Sequence, residues 1–170
     1  MKESSSTTDS IKIIFVCTGN TCRSCMAEGL MKEALKDLKD SPRIIATSRG
    51  ISAFDGDPAS GHSVKAMKNL WDIDISSHKA KILTNTDAEQ ADLILTMTRQ
   101  HRDIIKRLYP QKKDQVFTLK EYVYPDLNPD GSAADISDPY GMSYDVYEAC
   151  AKELHECIKL ILSKTSFFDM

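Results

Sequence analysis

A loop that runs from Cys17 to Ser24 carries the residue types needed for phosphoryl chemistry. Gly19 permits backbone conformations that other residues resist, and Asn20 tolerates a left-handed one, so the intervening N–H groups can turn inward. Such groups at the start of a helix bind phosphate-sized anions, and the Arg23 guanidinium can hold two phosphoryl oxygens. The same positive groups, with a hydrogen bond from Ser24, would stabilise the Cys17 thiolate. The loop therefore indicates nucleophilic attack by a cysteine on a bound phosphoryl group.

The five cysteines of the chain leave a second chemistry open. Cys17, Cys22 and Cys25 have the C-x4-C-x2-C spacing of plant-type iron–sulfur ligands. An electron-transfer module would need Cys150 or Cys157 as its fourth ligand, and it would leave the arginine and serine of the loop unexplained. The simpler prediction is that Cys150 and Cys157 are packing residues.

Composition limits the classes of protein that the chain can form. The 170 residues are 41% hydrophobic and 28% charged, which is typical of one globular domain. A net charge of −3 argues against nucleic acid as a partner. The longest apolar run, at 13–17, is too short for a bilayer, and no signal peptide follows Met1, so we expect a cytoplasmic protein without membrane contact. We predict a disordered tail at 1–10, one domain at 11–163 and a C-terminal tail at 164–170.

Strands and helices are predicted to alternate and to place the loop at a sheet edge. Apolar, β-branched segments predict strands at 11–16, 44–48, 92–97 and 116–119. Apolar residues at helical spacing predict helices at 25–40, 60–71, 99–108 and 143–163, with irregular chain at 73–86 and 124–140. This order predicts an α/β fold with an open, mostly parallel sheet and helices on both faces. Ligands of such folds bind beyond the carboxyl ends of the strands, where the loop lies.

The run 16–24 resembles the phosphate loop of the low-molecular-weight protein tyrosine phosphatase family. The resemblance continues at 26–29, 48–50, 77–78, 91–97 and 138–141, and it covers roughly residues 11–163. It implies a three-layer fold whose four parallel strands have the order 2-1-3-4, with the phosphate loop after the first strand. It also implies an enzyme that acts on phosphorylated proteins without a metal or a cofactor. We expect the protein to be a monomer.

The resemblance implies a role for each residue of the site. Cys17 would be the nucleophile that becomes phosphocysteine, Arg23 would stabilise the transition state, and Asp138 would protonate the leaving group and then activate water. Cys22 would form a reversible disulfide that protects Cys17. The loop would bind phosphate through Thr18, Gly19, Asn20, Thr21, Cys22, Arg23 and Ser24.

A polar network would support this loop through Asn20, Ser24, Ser48 and His78. The remaining histidines would have no place in it. His62, His101 and His155 are predicted to lie on the surface or on a helix face.

Thr21 points to phosphoarginine rather than phosphotyrosine as the substrate. Tyrosine-specific relatives usually carry a larger apolar residue there, whereas the sequence resembles a protein-arginine phosphatase subgroup at Thr21 and at 97–101 and 116–123. A threonine hydroxyl could position phosphoarginine and the attacking water. Two positions depart from the sequences that this chain resembles. Cys25 stands where the family usually has proline, and Tyr140 is more typical of tyrosine phosphatases than of the arginine-directed subgroup. Phosphotyrosine therefore remains the alternative substrate.

Arsenate reduction is a further alternative, because thioredoxin-coupled arsenate reductases share this loop and fold. Those enzymes need two more redox cysteines in the middle of the chain, and none lies between Cys25 and Cys150. Cys150 and Cys157 are seven positions apart on one predicted helix, about 10 Å along its axis, and cannot pair without unwinding it.

Overall fold

The sheet has four parallel strands in the order β2-β1-β3-β4, as predicted. The computed structural model describes residues 10–38 and 43–164, so the two predicted tails lie almost wholly outside the described residues. Side chains alternate along the central strand: Ile13 and Phe15 belong to one apolar cluster, and Ile14 and Val16 belong to the other. The strands are β1 (Ile11–Cys17), β2 (Ile44–Gly50), β3 (Leu93–Thr96) and β4 (Val116–Thr118).

Helices cover both faces of the sheet and complete the predicted three layers. They are α1 (Arg23–Leu35), α2 (Gly61–Trp71), α3 (Asn85–Gln90), α4 (Arg99–Leu108), α5 (Leu119–Val123) and α6 (Tyr144–Ser163). Residues of α1, α2, α5 and α6 share the cluster with Phe15, whereas α3 and α4 pack on the face of Val16. Short 3-10 helices lie at Pro110–Gln115 and Ser132–Ala134. No helix in the described ranges is long and apolar enough to cross a membrane.

Two short helices were not predicted, and each begins with a capping box. Thr84 accepts a hydrogen bond from the N–H of Asp87 at the start of α3, and Thr118 accepts one from the N–H of Glu121 at the start of α5. The prediction of irregular chain up to residue 86 and of a strand through Leu119 was therefore wrong at these ends. Helices of six and five residues are too short to show a hydrophobic period. The Thr-x-x-acid spacing nevertheless marks the start of both.

Helix α1 begins and ends earlier than its predicted span of 25–40. It starts at Arg23 and ends at Leu35. The early start arises because the loop already curls into the helix at Cys22, whose carbonyl oxygen accepts a hydrogen bond from Met26 N at 3.1 Å. As a result, Arg23 and Ser24 belong to the first turn of α1 and not to a free loop.

The strand register brings three loops together at the carboxyl edge of the sheet. Cys17 at the end of β1 pairs with Gly50 on β2, and Val16 pairs with Thr96 on β3. The segments that follow Gly50 and Thr96 therefore flank the segment that follows Cys17. This edge is where the sequence predicted the site.

Candidate active site

The carbonyl groups of the loop after β1 point away from its centre. Flanking segments donate to them: Ile51 N to Cys17 O (3.0 Å), Ser52 N to Thr18 O (2.9 Å) and Ser60 N to Thr21 O (2.9 Å). In a trans peptide the following N–H points the opposite way from the carbonyl, so the outward carbonyls turn N–H groups toward the loop centre. The loop therefore has the concave shape of an anion site.

Gly50 allows the flanking chain to come this close. A Cβ at this position would lie 2.5 Å from Thr18 O, 2.8 Å from Ala53 Cβ and 3.0 Å from Asn20 N. Two of those three atoms are backbone atoms of the loop. Glycine is therefore required at position 50, because the backbone of the loop lies too close for a side chain.

The side chain of Asn20 braces the loop from inside. Its backbone is left-handed, with φ at 58°, and the side chain accepts a hydrogen bond at Oδ1 from Lys81 N at 3.0 Å. Because a backbone N–H can only donate, this contact fixes the orientation of the amide. The other end, Nδ2, donates to Ser24 Oγ at 2.8 Å and to Ser48 Oγ at 2.9 Å. His78 Nε2 donates to the carbonyl oxygen of Asn20 at 2.7 Å.

Cys17 receives hydrogen bonds that suit a thiolate. Ser24 Oγ lies 2.9 Å from Cys17 Sγ, and the N–H of Asn20 donates to the same sulfur at 3.3 Å. Since Ser24 Oγ already accepts from Asn20, its own proton is free to point at the sulfur. All three residues are buried. The sulfur thus has two donors and the positive end of α1 close by.

Arg23 is buried with part of its guanidinium group uncommitted. Only 3% of the residue is exposed, and its Nη1 donates to Ile136 O at 2.9 Å. Its Nη2 lies 3.4 Å from Asp138 Oδ2, whereas its Nε has no hydrogen-bond partner among the described residues. A buried donor without a partner costs about 1–3 kcal/mol. A bound oxyanion would supply that partner.

Asp138 lies at the mouth of the site on the segment before α6. Its side chain is 54% exposed, and its Oδ1 accepts a hydrogen bond from Tyr140 N at 3.1 Å. This turn holds the carboxyl group near Arg23 while leaving it open to solvent. Asp135, three residues before Asp138, instead accepts a hydrogen bond from Arg99.

These residues enclose a cavity of about 280 Å³. Three of the lining residues, Ser52, Phe54 and Asp57, were missed from the sequence because they reach the site from the segment after β2. Phe54 and Tyr140 are 77% and 75% exposed and form aromatic walls at the mouth. The full lining is Cys17, Thr18, Gly19, Thr21, Cys22, Arg23, Ser52, Phe54, Asp57, Asp138 and Tyr140.

Comparison with known proteins decides the family. The family model described as low molecular weight phosphotyrosine protein phosphatase matches residues 12–166. The chain belongs to this family. It is therefore a cysteine-dependent protein phosphatase, and the fold and family expected from the sequence are confirmed.

Relatives of this phosphatase carry two kinds of name. A protein-arginine-phosphatase of Bacillus subtilis is 41% identical over 148 residues, which are 86% of this chain and 91% of that protein. The structure of a low molecular weight protein tyrosine phosphatase from T. tengcongensis has a TM-score of 0.80 at 42% identity, covering 89% of this chain and 97% of that one. A mutant of the YwlE arginine phosphatase with a phosphorylated active site serine has a TM-score of 0.81 at 35% identity, covering 92% and 99%.

Cys22 and Cys25 of the phosphatase lie in different surroundings. Cys22 is buried and its Sγ lies 3.6 Å from both Ser60 Oγ and Tyr147 OH. Burial, followed by the hydrogen bond with Cys22, raises the pKa of Tyr147 to about 12. Cys25, in place of the usual proline, donates from Sγ to Cys22 O at 3.2 Å. Burial first, and then nearby Cys17, raise the pKa of Cys25 well above its ordinary value, so it stays a thiol.

The iron–sulfur alternative finds no ligand set in the structure. In the described ranges, no group of three or more His, Cys, Asp or Glu side chains is arranged to hold a metal ion. Cys150 and Cys157 lie in the apolar cluster on α6, and burial raises the pKa of each to about 12. They are packing residues, as the sequence predicted.

His101 was predicted to lie on the surface or on a helix face; it lies on α4, but its side chain is buried. It is 6% exposed, and its Nε2 lies 2.8 Å from Thr18 Oγ1. Burial first, and then the charge of Arg23, lower its pKa from 6.5 to about 4. A signal was present in the sequence, because His101 precedes the buried Ile105 by four positions on α4 and so shares its face.

Proposed function

We propose that the protein hydrolyses phosphoarginine on protein substrates through a phosphocysteine at Cys17. The Cys17 thiolate attacks phosphorus in line, the P–N bond breaks, and Asp138 gives its proton to the leaving nitrogen. Asp138, now a carboxylate, removes a proton from water, which attacks phosphorus and breaks the P–S bond to release phosphate. Arg23 and the loop N–H groups stabilise the charge on the phosphoryl oxygens in both steps.

The position of Thr21 carries the choice of phosphoarginine. Thr21 lines the cavity together with Cys17 and Arg23, so its side chain borders the space that a substrate enters. A threonine there can donate to, or accept from, a guanidinium leaving group or the attacking water. An isoleucine would fill the same wall with apolar atoms. The name of the Bacillus subtilis relative, protein-arginine-phosphatase, supports this assignment.

The position of Asp57 also favours a cationic leaving group, as in phosphoarginine, over that of phosphotyrosine. The residue is exposed and lines the cavity together with Asp138. Phosphoarginine keeps N–H groups on its two unmodified nitrogens, and a carboxylate accepts hydrogen bonds from such a planar donor set. Phosphotyrosine offers no donor or positive charge in this region.

Phosphotyrosine remains the second candidate because of the aromatic walls. Phe54 and Tyr140 stand exposed at the cavity mouth, where they can contact the ring of a tyrosine substrate. The same surfaces can also stack on a guanidinium plane, so the walls by themselves do not separate the two substrates.

Parallel kcat/KM measurements on phosphoarginine and phosphotyrosine peptides of one sequence test the assignment. We expect the wild-type protein to prefer the phosphoarginine peptide. Thr21→Val, which keeps the volume and removes the hydroxyl, should lower this preference, and Thr21→Ile should lower it further. A wild-type preference for phosphotyrosine would contradict the proposed substrate. Equal ratios in all three proteins would contradict the role of Thr21.

The remaining expectations about the cellular setting stay predictions. The substrates would be phosphorylated proteins, since the cavity is open to solvent and bounded by exposed side chains. A monomeric state and a cytoplasmic location are further parts of the proposal. Cys22 would act as the redox partner of Cys17, and neither residue forms a disulfide in the structure.

A further inference from the structure

His101 reaches the phosphate loop from a different part of the chain. It lies in the first turn of α4, where its N–H donates to the side chain of Thr98 at 3.2 Å. Helix α4 follows β3, and β3 pairs with β1, so this turn packs beside the loop. The contact between His101 Nε2 and Thr18 Oγ1, 2.8 Å long, joins the turn to the first residue after the nucleophile.

The surroundings of the imidazole decide which of its nitrogens carries the proton. Nδ1 is buried and has no hydrogen-bond partner among the described residues. If Nδ1 carried the proton, a buried N–H would be left without an acceptor, close to the positive charge of Arg23. With the proton on Nε2, the ring donates to Thr18, and only a lone pair is left at Nδ1. The neutral ring with Nε2–H is therefore the favoured form.

This tautomer fixes what the Thr18 hydroxyl can do. Its oxygen accepts from His101, so its own proton is directed elsewhere. Thr18 is exposed and lines the cavity, as do Cys17 and Arg23, which are buried. Because the Thr18 oxygen already accepts the hydrogen bond from His101, the Thr18 hydroxyl can donate its own proton to an oxyanion in that cavity.

We propose that the Thr18 hydroxyl is a phosphoryl-oxygen donor, in addition to the loop N–H groups, and that His101 is the positioning residue that orients it. The inference rests on the proposed phosphate site and assigns one more contact within it. The ligand chemistry is a tetrahedral oxyanion, for which inorganic phosphate is the simplest probe. His101 acts only through Thr18 and does not itself exchange a proton with the substrate.

Phosphate binding by four variants tests the proposal. Thr18→Val keeps the volume and removes the hydroxyl, and His101→Leu removes the orienting donor. His101→Gln restores an N–H near the place of Nε2. We expect Thr18→Val to weaken the Kd for inorganic phosphate about tenfold, the size of one lost charge-assisted hydrogen bond. His101→Leu should weaken it less, His101→Gln should stay near the wild type, and Thr18→Val/His101→Leu should be no weaker than Thr18→Val alone.

Two results would overturn the proposal. One is an unchanged Kd for phosphate in Thr18→Val, which is an exposed position and should fold. The other is a loss in His101→Leu that persists in full when Thr18 is already valine, since His101 would then act through packing. Binding followed by ³¹P NMR needs no turnover, so it is independent of substrate identity. A wild-type protein that binds phosphate but does not cleave phosphoarginine would contradict the proposed substrate and leave the Thr18 test valid.

Discussion

Replacement of Asn20 by alanine removes the central brace of the phosphate loop. The change deletes three hydrogen bonds, to Ser24 Oγ, to Ser48 Oγ and from Lys81 N. At about 1 kcal/mol for each bond, the free energy of unfolding falls by about 3 kcal/mol. The left-handed backbone of residue 20, with φ at 58°, costs alanine about 1 kcal/mol more. The expected loss is therefore about 4 kcal/mol, a large part of the stability of an ordinary domain.

Two companion variants separate these contributions. Asn20→Gly loses the same side chain but adopts a positive φ freely, so it should be about 1 kcal/mol more stable than Asn20→Ala. Ser48→Ala removes one of the three bonds and should cost about 1 kcal/mol. Both should stay folded even if Asn20→Ala does not.

Urea unfolding and turnover of p-nitrophenyl phosphate measure the two consequences. Activity should fall in both Asn20 variants by more than in Ser48→Ala, because Ser24 then loses the donor that directs its proton to Cys17. A loss of stability below 1 kcal/mol in Asn20→Ala, with kcat/KM at the wild-type level, would refute the claim that the Asn20 side chain braces the loop. Equal stability of the alanine and glycine variants would refute the backbone part of the reasoning.

Three further predictions concern other parts of the site. His101 has a pKa lowered to about 4 by burial and Arg23, against the weaker opposing effect of Asp138 and Asp135. Between pH 6.5 and pH 4 the unfolded chain therefore binds more protons than the folded protein. The free energy of unfolding should fall by on the order of 2 kcal/mol as the pH drops through this range. In His101→Gln the free energy of unfolding should depend less steeply on pH. Gly50→Ala should destabilise by about 3 kcal/mol and lower activity through contact with Thr18 O, whereas Gly61→Ala, where a Cβ meets nothing within 4 Å, should do neither. Asp57→Asn should lower kcat/KM for phosphoarginine roughly fivefold and leave p-nitrophenyl phosphate unaffected; equal losses on both would remove Asp57 from substrate selection.

The core of the site could be predicted because its residues are adjacent in the sequence. Cys17, Gly19, Asn20 and Arg23 lie within one short run of chain, and the backbone preferences of glycine and asparagine set the shape of the loop locally. The order of strands and helices was also predictable, since apolar, β-branched runs identify buried strands. All four strands lie within two residues of their predicted bounds.

The remaining parts of the site depend on long-range packing that no local pattern shows. Phe54 and Asp57 reach the cavity only because β2 lies beside β1 in the sheet. His101 is buried against the loop by the placement of α4 after β3, although its polar neighbours on the helix resemble those of a surface residue. The Asp138 carboxyl was singled out by resemblance, and its approach to Arg23 becomes visible only in three dimensions.

The phosphoryl transfer to Cys17 can be tested by direct detection of the intermediate. Wild-type protein is mixed with a phosphoarginine peptide, quenched within one turnover into denaturant, and digested for mass spectrometry. Fragment spectra of the peptide that contains both Cys17 and Cys22 locate the added phosphate, and Cys17→Ser with the same substrate is the control for turnover. We predict phosphate on Cys17 that appears before free phosphate and decays as free phosphate accumulates. Phosphate on another residue, or full turnover by Cys17→Ser, would contradict the mechanism.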